Sequence, residues 1–147
     1  MTERMIDVYR HADAPIETVW GVISDHRGYA TWTPMPSSEL EVEGSPEVDG
    51  VGAIRRLGAP PVVAREQVVA FEPPRLMSYT ILSGMPVKGY RADVVLEPTS
   101  DGGTDIRWTG GFESAPPLMT GVLRRVLTTA ITQLADGAVK EANRRAA

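Results

Sequence analysis

The chain has 147 residues, 42% of them hydrophobic, which is one domain's worth with enough apolar material for a real core. A net charge of -4 and a pI near 5.2 speak against a general nucleic-acid binder, which carries a basic stripe to displace counterions from phosphates. Charged residues interrupt every apolar run before the roughly 18 residues a membrane span needs, so no transmembrane segment is expected.

Arg4 to Ala12 alternates Ile6 and Val8 against Asp7 and Tyr9, the pattern of a strand with one buried face. Ala14-Pro15 breaks it. Ile16, Val19, Trp20 and Ile23 then recur at helical spacing, predicting a short helix with Pro15 in its first turn and Trp20 anchoring its apolar side. A second short helix is expected from Asp25 to Trp32, ended by Pro34 and Pro36, because the residue before a proline is pushed out of helical geometry.

From Ser37 onward six strands are predicted: Leu40 to Glu43, Ala53 to Leu57, Val62 to Phe71, Leu76 to Leu82, Tyr90 to Glu97 and Thr104 to Glu113. Turn-forming clusters such as Gly58 to Pro61, Pro73-Pro74 and Asp101-Gly102-Gly103 separate them, and short strands in this series make an antiparallel meander.

Pro117 to Ala147 reads as one long helix. Apolar residues fall in neighbouring pairs four apart, from Leu118 and Met119 through Val122 and Leu123, Val126 and Leu127, and Ala130 and Ile131 to Ala138 and Val139. Ser114 suits a capped start, and Arg144 and Arg145 suit the negative end of the helix dipole. The second half of the apolar face thins to Ala130, Ala135, Ala138 and Ala142, which lets the sheet come very close or leaves an unfilled volume beneath the helix. Gly121 and Gly137 mark a bend or simple tolerance.

One α+β domain over residues 1–147 follows, with a curved antiparallel sheet around a long C-terminal helix and two short helices after the first strand. This order resembles the START-related helix-grip superfamily, and within it the polyketide cyclase/dehydrase-like branch. The resemblance is carried by Ala14-Pro15 with Val19-Trp20, Asp25 with Trp32 and Pro34, Phe71-Glu72-Pro73-Pro74-Arg75-Leu76 leading to Tyr79, Ser83-Gly84-Met85-Pro86, and Gly103-Thr104 leading to Trp108. It implies a deep, mostly hydrophobic pocket for a lipid, sterol, polyketide or other flat apolar molecule, but no particular reaction.

Strand alternation nominates residues for the inner face. Tyr90 begins one such set, Met77 and Tyr79 belong to a second, and Trp108 and Phe112 to a third, with Leu127 and Ile131 opposite on the helix. Plain core packing is the other reading of each. If Arg55 and Glu66 both face inward they meet across the hairpin Gly58 to Pro61, as a polar anchor for a ligand or as a general base with its partner. The opposite phase would bury Arg56, Arg65 and Gln67. A salt bridge that only fixes the sheet is the bland alternative.

Trp32 and Met35 are expected at the mouth, and the loop Ser83 to Tyr90 is a candidate lid. Asp25 and His26 read as a helix cap or surface loop near that mouth, and the face of His11 is ambiguous.

Without cysteine there is no disulfide, thiol nucleophile or cysteine-based metal site, and two histidines are too few for a histidine-rich centre. No Gly-x-Ser-x-Gly elbow, phosphate-binding glycine loop or His-Glu-x-x-His pattern occurs. No metal or cofactor is expected. The opening residues lack the apolar core of a secretory signal, so a soluble cytoplasmic protein, monomer or homodimer, is the expectation.

Binding of a small hydrophobic ligand is the leading reading. An aromatic polyketide cyclase or dehydratase using Glu66 with Arg55, or Tyr79, is the second. A protein-interaction module of the same fold is the third.

Overall fold

The computed structural model describes residues 5–147; Arg4, where the sequence begins the first strand, lies outside them. The elements in order are β1 (Ile6–Ala12), α1 (Ile16–Ile23), a 3-10 turn at His26–Gly28, α2 (Tyr29–Trp32), β2 (Ser38–Val42), β3 (Ile54–Ala59), β4 (Val62–Glu72), β5 (Leu76–Ser83), β6 (Arg91–Pro98), β7 (Thr104–Gly111) and α3 (Thr120–Ala146). The strands form one antiparallel sheet in the order β1-β7-β6-β5-β4-β3-β2, curved around α3. The meander from β2 to β7 is as the turn clusters predict. β1 completes the sheet by pairing with β7, Val8 opposite Trp108.

The second helical segment splits into a 3-10 turn and the four-residue α2. It stops at Thr33, whose extended backbone (φ -131°, ψ 165°) is what the following Pro34 demands. In α1 the buried residues are Ile16, Val19, Val22 and Ile23. Trp20 sits at the margin and packs on Phe71 with ring centroids 5.2 Å apart.

The long helix begins three residues later than its apolar spacing suggests. Pro116 precedes a proline, and Leu118 adopts a left-handed φ of 67°, so the helical path starts only after the turn these residues make. Met119 occupies the cap position without a side-chain cap, and Ser114 instead bridges to Lys88. The apolar face is also narrower. Leu123, Leu127, Ile131, Leu134, Ala135, Ala138 and Ala142 are buried, while Leu118, Val122 and Val126 are exposed.

The alanine-rich half divides: Ala130 borders an open cavity, and close approach explains the alanines beyond it. Ala135, Ala138 and Ala142 are fully buried, and Arg10 and Asp13 from β1 and the turn after it reach Asp136 and Asn143 on α3 by hydrogen bonds of 2.6 and 2.9 Å. Gly137 is a close contact of a second kind, between α3 and Trp32 of α2. A Cβ there would lie 2.7 Å from the carbonyl oxygen of Trp32 and 3.0 Å from its ring.

Candidate ligand-binding cavity

Burial alternates along β3 and β4 so that Arg55 and Leu57 on one strand and Glu66 and Val68 on the other face the interior. The tight turn between these strands sets Arg55 directly opposite Glu66. This is the inward phase proposed from alternation; Arg56 and Arg65 lie on the outer face, where both reach Glu41.

Arg55 is entirely buried. Its Nε donates to Glu66 Oε1 at 3.0 Å, and its Nη2 lies 2.8 Å from the same oxygen. The second contact is an ion pair without hydrogen-bond alignment, so Nη2 has no hydrogen-bond partner among the described residues. The guanidinium carbon sits 4.6 Å from the ring centre of Tyr29 and 4.4 Å from that of Tyr79, close enough for cation–π attraction at both. Burial opposes the charge on Arg55, but Tyr29, Glu66 and Tyr79 together raise its pKa, so it stays a cation.

His26 supplies the third side of this arrangement. It is fully buried, with Nδ1 3.2 Å from Arg55 Nη1 and Nε2 2.8 Å from the backbone oxygen of Asp49. A guanidinium can only donate and a carbonyl can only accept, so His26 is the neutral tautomer with its proton on Nε2. Burial, reinforced by Arg55, pushes its pKa down to about 3. Local spacing reads His26 as a cap or surface loop; its burial comes with partners distant in the chain, the Arg55 side chain and the Asp49 carbonyl, which that spacing does not reveal.

Beside Arg55 the aromatic residues form a buried layer. Trp108 Nε1 donates to the Tyr79 hydroxyl at 3.1 Å, and the rings of Tyr79 and Tyr90 lie 6.4 Å apart. Burial raises the pKa of both tyrosines, which keeps them neutral phenols. Met77, Phe112 and Ile131 are also buried.

A cavity of about 450 Å³ opens next to this cluster, between the sheet and the first half of α3. One side is Leu57, Ala64, Glu66 and Ile81 from β3, β4 and β5, and the other is Val126, Leu127, Ala130 and Leu134 from α3. Thr33 to Pro36 and the loop residues Gly84 and Met85 close the ends. Gly84 is required there: its φ is 101°, and a Cβ would collide with the Val63 carbonyl. Among the described residues, Glu66 is the only ionisable one in the wall.

Of the residues nominated from sequence, Met35, Glu66 and Leu127 line this cavity. Arg55 stands behind Glu66, while Met77, Tyr79, Tyr90, Trp108, Phe112 and Ile131 lie in the core around it. Trp32 packs on Tyr29, with centroids 4.7 Å apart, and against Gly137. Ala130 from the thinned helix face and Met85 from the loop Ser83 to Tyr90 also belong to the wall, together with Pro34, Pro36 and Leu134, for which local spacing carries no signal because separate segments have to converge before they share a surface.

A larger depression of about 540 Å³ lies on the outer face of the sheet, lined by Tyr9, Asp93, Glu97, Asp105 and Arg107. Asp93, Asp105 and Arg107 there are already paired with neighbours. The Tyr9 hydroxyl donates to Asp105 at 2.6 Å and Arg107 pairs with Asp7 at 2.8 Å. His11, on the same side, has Nδ1 2.9 Å from Asp105. The apolar cavity is therefore the better candidate, since apolar walls with few convergent polar groups suit small molecules.

A family model described as polyketide cyclase/dehydrase and lipid transport matches residues 5–145. No curated protein matches the chain. Among solved structures, a START superfamily protein from Mycobacterium smegmatis superposes with a TM-score of 0.75 at 14% identity, over 96% of this chain and 95% of that one. A protein from Thermus thermophilus gives 0.74 at 18% identity, over 97% and 99%. One from Nitrosospira multiformis gives 0.71 at 23%, over 92% and 94%. These likenesses are of fold. Together with the match across nearly its whole length, they make the chain a member of the polyketide cyclase/dehydrase and lipid transport family, with the START-like helix-grip fold.

Proposed function

We propose that the protein binds a small hydrophobic molecule in the cavity between β3, β4, β5 and the first half of α3. The observation that carries this reading is the wall itself: about 450 Å³, almost wholly apolar, with the single carboxylate of Glu66 set into it. Small-molecule sites run from about 300 to 1,000 Å³, mostly apolar with a few placed polar groups. The family description, which includes lipid transport, supports the same class of ligand.

The test is a fluorescence titration with the neutral apolar dye N-phenyl-1-naphthylamine. Saturable binding at one dye per chain is expected, and it should be lost in Ala64→Phe and Ala130→Phe, which fill the cavity from opposite sides, while thermal unfolding stays cooperative. Absence of saturable binding, or undiminished binding in both folded variants, would defeat the proposal.

A second reading, proton transfer on a poly-ketone, is favoured by one fact: the wall's ionisable group is a carboxylate with a fixed cation behind it. In that reading Glu66 moves the proton and Arg55 positions it. Tyr79 contributes to the layer beneath, where its hydroxyl accepts from Trp108. A Glu66→Gln variant that still turned over a poly-ketone substrate would remove the named base.

A further inference from the structure

Resting on the ligand-binding reading, the geometry points to a more specific one: we propose that the cavity selects by head group. It accepts an apolar chain ending in a hydrogen-bond donor, a hydroxyl or an amine, and disfavours the same chain ending in a carboxylate.

The argument starts from depth. At the rim Val62 and Val126 are 67% and 48% exposed, whereas Leu57 is 6% and Glu66 9% exposed. The polar group therefore sits toward the closed end, and a ligand must bring its own polar group inward to meet it.

What the ligand meets there is an acceptor. Oε1 of Glu66 takes both contacts from Arg55, which leaves Oε2 as the oxygen available at the cavity wall. The cation behind it does not line the cavity. Arg55 Nε and Nη2 face Glu66, Nη1 faces His26, and two aromatic rings cover the guanidinium. A carboxylate head would lie beside Glu66 without reaching a basic residue in the wall.

The remaining polar side chains do not alter this. Thr33 Oγ1 already donates to the Tyr29 carbonyl and accepts from the Met35 amide. Gln133 is exposed. His26, neutral and bonded on both ring nitrogens, acts as a positioning residue that holds Arg55 against Glu66.

Hydrogen bonds to a charged acceptor and the loss of one to like-charge repulsion each change affinity by about ten- to hundredfold. The experiment is displacement of N-phenyl-1-naphthylamine at pH 7.5 by 1-decanol, decylamine, decanoate and decane, all kept monomeric. Decanol and decylamine should bind at least about tenfold more tightly than decanoate. In Glu66→Gln, which keeps the shape and removes the charge, decanoate should come within a few-fold of decanol.

Decanoate binding as tightly as decanol to the wild-type protein overturns head-group selection, whether or not the variant folds. Dye binding with no displacement by any decyl compound also overturns it, while leaving the cavity reading standing. Failure of the dye itself to bind removes both.

Discussion

Arg55 Nε and Glu66 Oε1 are 3.0 Å apart on adjacent strands whose register sets the two residues directly opposite, with the cation fully buried and the carboxylate at the cavity wall. An ion pair in this position is weak evidence for stability, because removing two charges from water offsets much of their attraction. Breaking it from one side is another matter. Glu66→Leu strands a buried guanidinium and should destabilise the fold by about 3–5 kcal/mol. Arg55→Met combined with Glu66→Leu should recover most of that loss. Urea unfolding of the two singles and the double measures the coupling, and simple additivity would show that the pair is not a unit.

The hydrogen bond from Trp108 to Tyr79 gives a second expectation. Tyr79→Phe keeps the ring against Arg55 but leaves the indole N–H buried without an acceptor, which costs about 1–3 kcal/mol. Denaturant midpoints of the variant and the wild type decide it. An unchanged midpoint would mean that Trp108 has found another partner.

His26 makes stability depend on pH in a direction that can be worked out. Its pKa falls from an ordinary 6.5 to about 3 in the folded protein, so between these values the unfolded chain holds a proton that the native one does not. The contribution of the neutral ring is complete above pH 6.5 and is lost as pH falls toward 3, with a slope approaching about 1.4 kcal/mol per pH unit. His11 works the other way. Its hydrogen bond to Asp105 raises its pKa, so its contribution is present below the unfolded value and fades as pH rises. Unfolding measured from pH 7.5 to 5 should show the falling stability in a His11→Gln background, and His26→Gln should flatten it. Equal slopes with and without His26 would contradict the assignment.

Much of this cluster is legible in the sequence. Period-two alternation on β3 and β4 and the turn between them are enough to bring Arg55 to Glu66, because strand pleating leaves only two phases and the other buries unpaired arginines. The place of the cavity is not legible. Apolar spacing draws the same helical face whether a residue packs, lines a space or meets water, so Leu118, Val122 and Leu123 look equivalent until the left-handed turn at Leu118 sets where α3 begins. The alanines leave close contact and an unfilled volume open, since a small side chain is the mark of either: Ala130 borders the cavity, whereas Ala135, Ala138 and Ala142 are packed. His26 escapes sequence reading for a related reason: what buries it comes from Asp49 and Arg55, at least 23 residues away along the chain.

The two glycines of α3 give the sharpest contrast. In a helix, replacing glycine by alanine ordinarily stabilises by up to about 1 kcal/mol, through the lost freedom of the unfolded chain. A methyl group added at Gly121 would meet nothing within 4 Å, so Gly121→Ala should be neutral to stabilising, by less than that limit because it lies in the first turn. At Gly137 the same methyl would lie 2.7 Å from the Trp32 carbonyl oxygen and 3.0 Å from its ring, and backbone cannot swing aside as a flexible side chain can. Overpacking of this kind costs about 1–3 kcal/mol, which exceeds the helix gain, so Gly137→Ala should lower the thermal midpoint. Relief of the clash must push Trp32 away from α3, and Thr33 to Pro36, which follow it directly, form one end of the cavity. Dye affinity should therefore fall in Gly137→Ala and hold in Gly121→Ala. Equal affinity and stability in both variants would mean that α2 and α3 are not in the close contact on which this end of the cavity depends.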